Sequence, residues 1–556
     1  MPSITSHHLF VKLVWLLVFV IIAAFWTTVY YYAYNFPYYD DFQSIVLFLT
    51  NYIQSDSLSD KLMLFFEQNF EHRILPAKLL TLAVFLVTGQ VNIKILIILG
   101  DLSLLGTLFL IFKFFLNKQI SLLGFFAIVC LLFQVQHYED TISWATCSLQ
   151  HAPCLFFSMW SFYLALHRKN VFWSSLLATL ALFTSANGLS TIFIVIAITA
   201  CSSIPKLHKM TQATFLLFVT ALHLLTIKIH SGSMLDHVVN HVAVKSVLLL
   251  SFVGQLADTN YTSSIVPSVV LGFIFLFPLT IVLKKFFDKT LSDVTTMQWF
   301  SITGILTLLF VGFLIVFARG EMPDFDGYRM DRYKIYSAFF GIFSVAFYDS
   351  YWTLSKAGSL LKMGVAAAAL IFCISSYYVY YDKITHYNRE ISANELNYNW
   401  SKTIYYPVVF EDVSIENNLD FAQQHFLLSD QGRLREIVRS IDWGKSKASI
   451  DATIADLPDR FVISNAKTNQ ASPQADELYI VATDAVDNQP KYFCLAFNNY
   501  VRSVKGFYTT FRKSVGTEFT STIYKRKLKP GNYNLFLLSV HGEKTVSLNS
   551  IGKITL

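Results

Sequence analysis

Residues 13–39 read LVWLLVFVIIAAFWTTVYYYAYNFPYY, with no Asp, Glu, Lys or Arg, and the pair Asp40-Asp41 follows at once. Crossing the hydrocarbon core of a bilayer takes about 20 mostly apolar residues. The run is therefore a span, and its carboxylates sit at a water interface. It is too long for a cleaved signal peptide and lacks a clear small-residue cleavage site. The rest of the chain is of the same kind. Of 556 residues, 54% are hydrophobic, 16% aromatic and only 14% charged, whereas an average globular chain is about 25% charged. Too little charge is present to cover a soluble surface. An ordinary cytosolic enzyme, a disordered chain and a collagen-like fibre are excluded, and a polytopic membrane protein is expected.

The net charge of +6 is spread over short basic clusters, so no nucleic-acid partner is expected. Six cysteines fall mostly in apolar stretches and form no CxxC pair, which implies neither a disulfide framework nor a zinc site.

Eleven apolar stretches are read as spans: Leu9–Tyr30, Ile95–Leu116, Ile120–Val135, Ala152–Leu166, Val171–Leu182, Leu189–Ala200, Thr214–Ile227, Ile265–Leu283, Trp299–Phe317, Ile335–Phe347 and Leu360–Val379. Ile74–Gly89 is read as a juxtamembrane helix, because counting it as a span moves the later Lys/Arg clusters outside. With it on the surface, Lys113/Lys118, His167-Arg168-Lys169, Lys206/Lys209, Lys284/Lys285/Lys289 and Lys356/Lys362 face the cytoplasm. The loops rich in Asp and Glu then face outward, as the positive-inside rule requires. The expected fold is mainly α, a polytopic helical bundle of about eleven spans. Residues 1–380 form it, and residues 381–556 form a C-terminal extracytoplasmic α+β domain. The protein belongs in the cell (inner) membrane on this reading, with its N-terminus cytoplasmic. From about residue 477 the signal is β: Glu477–Ala482, Phe519–Lys525 and Tyr533–Val540, with a Lys529-Pro530-Gly531-Asn532 turn, suggest a small sandwich.

Polar chemistry concentrates in the outward loops. In the segment 35–78, Asp41 can cap the helical run that it opens. Alternatively Asp40 and Asp41 supply a base for an acceptor hydroxyl, or a metal ligand. Glu71-His72-Arg73 closes the same segment, either as an interfacial anchor or as a substrate contact. The second loop carries Gln136, His137, Glu139, Asp140, Trp144 and His151. His137, Glu139, Asp140 and His151 are candidate ligands for a divalent metal ion, but no recognised ligand spacing is present, and the wall of a substrate cavity is the favoured reading. The late loop carries Arg319, Glu321, Asp324, Asp326, Arg329 and Arg332-Tyr333-Lys334. Its arginines suit bidentate phosphate recognition, or pair with the acids of the same loop. Asp101, inside the second span, marks either a cavity or a helix–helix hydrogen bond.

Taken in order, these elements resemble the GT-C superfamily of polytopic glycosyltransferases, over roughly Leu9–Val379. The likeness rests on a first span, the outer loop opening with Asp40-Asp41 and closing with Glu71-His72-Arg73, the juxtamembrane helix, the Gln136…Glu139…Trp144 loop and the late Arg319…Arg332-Tyr333 loop. It is similar in particular to bacterial members with an E-H-R element and a late R…R-Y element. The resemblance implies a membrane glycosyltransferase that uses a polyprenyl-phosphate-linked sugar on the outer face. It implies Asp41 as the base on the acceptor, with Asp40 beside it, and Arg73, Arg319 and Arg332 holding the lipid phosphate. Glu71, His72, His137, Glu139 and Tyr333 complete the substrate-binding set. The acceptor is a glycan, a lipid or a protein; the Glu71-His72-Arg73 stretch departs from the protein mannosyltransferase and aminoarabinose transferase patterns, so their acceptors do not carry over. The rival readings are a lipid-linked glycan flippase or transporter, and a glycan polymerase or ligase using a lipid-diphosphate donor. Concentration of polar residues in loops rather than at the midplane of broken spans favours an interfacial enzyme.

Overall fold

The computed structural model describes residues 4–69, 72–227, 242–259, 264–318, 329–352, 356–404, 413–427, 433–443, 448–465, 477–500, 502–513, 515–541 and 544–556. The chain is mainly helical with a C-terminal β region, and it divides into two compact units. One unit contains residues 1–31, 43–84 and 95–379. The other contains residues 32–42, 85–94 and 380–556. The segment 35–78 is thus shared: Asp40 and Asp41 belong to the second unit, His72 and Arg73 to the first.

Among the described residues, five helices are long and apolar enough to cross a membrane: His8–Tyr32, Ile93–Leu116, Val266–Phe287, Thr296–Phe317 and Ala357–Ser401. Several other apolar helices are shorter. Leu122–Leu132 has 11 residues, His151–Tyr163 has 13, Val171–Thr184 has 14 and Leu189–Cys201 has 13. At 1.5 Å per residue, fourteen residues reach only about 21 Å. Local breaks set these lengths. The helix from Leu122 ends where Val135 N–H turns to the Ser376 hydroxyl at 3.2 Å. The helix from His151 passes into a wider turn at Leu164–Arg168. Leu75–Thr88, the stretch read as juxtamembrane, has 14 residues.

One helix, Val242–Val253, is absent from the sequence reading, because it is short and carries Lys245. It packs against Val266–Phe287 through two glycines. A Cβ on Gly254 would come within 2.0 Å of the Ser268 carbonyl oxygen, and one on Gly272 within 2.1 Å of the Leu250 carbonyl oxygen. Only Gly permits such backbone approach. Polar caps start other helices: the side chains of Ser121 and Asn170 accept from Gly124 N–H and Trp173 N–H.

The helix Lys356–Ser401 runs well past the apolar stretch ending at Val379, and its residues from Tyr380 on belong to the second unit. Strands begin at Ala448, ahead of residue 477. They are β1 Ala448–Ser449, β2 Thr453–Asp456, β3 Arg460–Asn465, β4 Glu477–Asp484, β5 Pro490–Leu495, β6 Phe497–Tyr500, β7 Val515–Tyr524, β8 Asn532–His541 and β9 Lys544–Thr555. One sheet has the order β1-β9-β8-β4-β5 and the other β2-β3-β7-β6. Period-two alternation explains the layers. Leu478, Ile480 and Ala482 enter a core with Phe461, Ile463, Phe519 and Ile523 of the four-stranded sheet. Tyr479 and Val481 face the other way, onto Ala393, Leu396, Leu434 and Val438 of helices. The middle of β4, Leu478–Ala482, is apolar without alternation because both its faces are covered. Residues 85–94 join this unit by strand-like pairing, with Val91 N–H donating to the Phe426 carbonyl at 2.6 Å.

Candidate functional site

In the first unit, segments distant in sequence meet at one end of the helices. Gln136 Nε2 donates to the Leu256 carbonyl at 3.0 Å. Tyr138 OH donates to Asp331 Oδ2 at 3.0 Å, and Arg332 N–H donates to Glu139 Oε2 at 2.7 Å. Arg329 Nε pairs with Asp258 Oδ2 at 2.8 Å, while Lys334 Nζ lies 2.7 Å from Asp331 and donates to the Asp258 carbonyl at 2.9 Å. Ala186 N–H donates to His72 Nδ1 at 3.3 Å, and the adjacent Asn187 donates to Tyr336 OH at 2.7 Å. Tyr336 in turn lies 5.5 Å from the His151 ring, between centroids. Described residues of all five loops assigned to the outer side by charge are therefore linked through polar and ring contacts.

Contacts also join two pairs of the basic loops. Ser121 donates through N–H and hydroxyl to Asp349, both at 2.6 Å, and Lys362 lies 3.2 Å from Asp349. Lys169 donates to Ser203 at 2.6 Å.

Among the loops assigned to the outer side, Arg332 has a distinctive environment. Its guanidinium lies 5.1 Å from the Tyr333 ring centroid and 5.6 Å from that of Trp144. Burial works against its charge, but the nearby Tyr333, Cys147 and Glu139 outweigh that and raise its pKa. Asp331, the acid beside it, is engaged by Lys334 and Tyr138. His137 is buried, and burial pulls its imidazole down to about 4, so it is neutral at pH 7. Arg73 is buried; its two terminal nitrogens donate to the Thr226 hydroxyl and carbonyl at 2.7 and 2.9 Å. Glu71 and Arg319 lie outside the described residues.

Asp140 and His151 form a buried pair, Oδ1 to Nδ1 2.6 Å. Burial pushes the Asp140 carboxyl well up, and Arg332 counters in part. Side-chain ligand atoms of Asp140, Cys147 and His151 lie within 4.8 Å of one another. The structure groups these three, whereas the sequence reading offered His137 and Glu139 in place of Cys147.

The second unit holds a separate group. Asp41 is fully buried, its Oδ2 accepting from Tyr38 N–H at 3.1 Å. With Asp41 N–H donating to the Tyr38 carbonyl at 3.0 Å, this bond closes the turn ahead of the helix, so the carboxylate reaches back out of the helix that it was expected to cap. Asp40 is more exposed. Between them and Tyr38, Tyr39 has φ +45°, the left-handed region that bulky residues seldom adopt. Tyr38 OH donates to Glu390 Oε1 at 3.1 Å, and His386 Nε2 lies 3.5 Å from Glu390 Oε2. Burial raises the Glu390 carboxyl to about 7, with the Tyr38 hydrogen bond opposing. Burial and then Arg389 pull His386 down to about 4. Neither His386 nor Glu390 was singled out from sequence. Their signal is the i, i+4 spacing on one helix face, legible only if the helix is carried past Val379.

No family model, curated protein or solved structure matches the chain.

Proposed function

We propose that the protein is a membrane glycosyltransferase of the GT-C kind, taking a sugar from a polyprenyl-phosphate donor at the outer face of the membrane. The acceptor hydroxyl loses its proton to a carboxylate of the Asp40-Asp41 pair, with Asp41 the proposed base. The acceptor oxygen then attacks the anomeric carbon, and the bond to phosphate oxygen breaks. Polyprenyl phosphate leaves with the bonding electrons, and the anomeric configuration inverts. The leaving oxygen is already that of a phosphate diester, so little acid catalysis is needed.

One observation carries this reading: the outward-assigned loops converge and present a partly buried guanidinium, Arg332, on the faces of Trp144 and Tyr333. A planar, permanently charged fork at a bilayer rim suits a lipid phosphate whose tail stays in hydrocarbon. The eleven-span topology, with an inner N-terminus and outer C-terminal domain, belongs to the same proposal. It is supported by the contacts among the acid-rich loops and by those within two pairs of basic loops.

Mass spectrometry of lipids extracted from the purified protein tests the donor assignment. A polyprenyl-phosphate sugar is expected from the native protein and is depleted in Arg332→Ala. A native protein carrying only bulk phospholipid, even after incubation with such donors, would contradict it.

A further inference from the structure

We propose that Asp140, Cys147 and His151 hold a divalent transition-metal ion, zinc being the ion that their donor set fits. The three come from adjacent short elements: Asp140 from the turn Glu139–Ser143, Cys147 from the helix Ala145–Ser148 and His151 from the start of the next helix. Their ligand atoms already lie within 4.8 Å of one another, and all three residues are buried. Thiolate, imidazole and carboxylate form a mixed S, N, O set. Zinc accepts it, whereas magnesium and calcium prefer oxygen alone. Three protein ligands leave a further position for water or substrate.

A second observation points independently to a cation. Asp140 Oδ2 is buried without a hydrogen-bond partner among the described residues, and so are both carboxylate oxygens of Asp101. Asp101 lies within electrostatic range of Asp140. The helix Ile93–Leu116 that carries it presses against the same loop, where a Cβ on Gly100 would come within 2.4 Å of the Ser148 carbonyl oxygen. Buried carboxylate oxygens without partners are costly. A doubly charged ion balances the Asp140 carboxylate and the Cys147 thiolate that would hold it.

The test uses the full chain in detergent or nanodiscs and requires no turnover, so it stands or falls separately from glycosyl transfer. After zinc-replete purification and dialysis, elemental analysis should find about one zinc per chain, falling to background in Cys147→Ser and Asp140→Asn and persisting in His137→Gln. Replacing zinc by cobalt in the unmodified protein should give a thiolate-to-cobalt charge-transfer absorption, a readout independent of whether the variants fold. Native protein that carries no zinc and shows no such absorption overturns the proposal. So does a zinc content that is equal in native protein and a folded Cys147→Ser variant.

Discussion

The backbone N–H of Arg332 donates to Oε2 of Glu139 at 2.7 Å, across 193 residues of sequence. This bond fixes the Asp331–Tyr333 turn to the second loop and leaves the Arg332 guanidinium to the aromatic faces of Trp144 and Tyr333. The backbone, not the side-chain charge, makes the tether. Substituting the arginine side chain therefore leaves the turn in place.

Arg332→Ala is expected to raise the donor KM by roughly 10–100-fold, since a charge-assisted hydrogen bond contributes about 1.5–3 kcal/mol. Acceptor KM should change far less. Arg332→Lys should recover only part of the loss, because an ammonium cannot reproduce the guanidinium fork. Lowered thermal stability with an unchanged donor KM would remove Arg332 from the site and make it a structural cation.

Asp41→Asn should leave the protein folded and inserted while reducing transfer by about 10²–10⁴-fold, the range for removal of a general base. Because Asn keeps an acceptor oxygen for Tyr38 N–H, the turn survives. Asp40→Asn should be milder. The opposite ranking would move the base to Asp40, the more exposed of the pair, and near-normal turnover in both would leave Asp41 a turn-closing residue.

The fold was legible where one physical signal acted alone. The stretch Leu9–Tyr30 reads as a span from composition and is helical to Tyr32, and ELYIVA reads as a strand, although the cover on both its faces is seen only in the structure. Legibility failed where tertiary contacts decide. Val242–Val253 hides behind Lys245, whose ammonium is buried and donates to the Phe317 carbonyl at 3.4 Å. The helix through Val379 continues to Ser401 because Asn397 pairs with both the N–H and the carbonyl of Phe493, at 2.6 and 2.8 Å. No local periodicity announces such a contact. At the site, residue types in the loops were readable, but partner choice was not. Cys147 looks like a small apolar residue until the turn at 139–143 brings Asp140 to it.

Glu390 gives a pH dependence with a definite sign. Its carboxyl titrates at about 7 in the folded protein, against about 4.3 when unfolded. The native state keeps the proton longer, so this stabilisation is full below the unfolded pKa and is lost as pH rises through 7. Glu390→Gln should thus flatten the fall in thermal stability between pH 5 and 8, an effect of roughly 3 kcal/mol at most. Parallel melting curves for the two proteins would show that the carboxyl is not held protonated.

Topology is open to single-cysteine labelling from either side of sealed vesicles. Sites at Asp56 and Asp487 should react from the outer side, and sites at Lys169 and Lys284 from the inner side. Reaction of Lys169 and Asp487 positions from the same side would rule out the eleven-span arrangement.

The most direct measurement is transfer itself, by purified protein in nanodiscs supplied with a panel of radiolabelled polyprenyl-phosphate sugars and candidate glycan, lipid and protein acceptors. The account predicts labelled acceptor of inverted anomeric configuration, polyprenyl phosphate released in equal amount, and loss of both products in Asp41→Asn. Movement of intact lipid-linked sugar across sealed vesicles, with no glycosidic bond formed or broken for any donor, would contradict it.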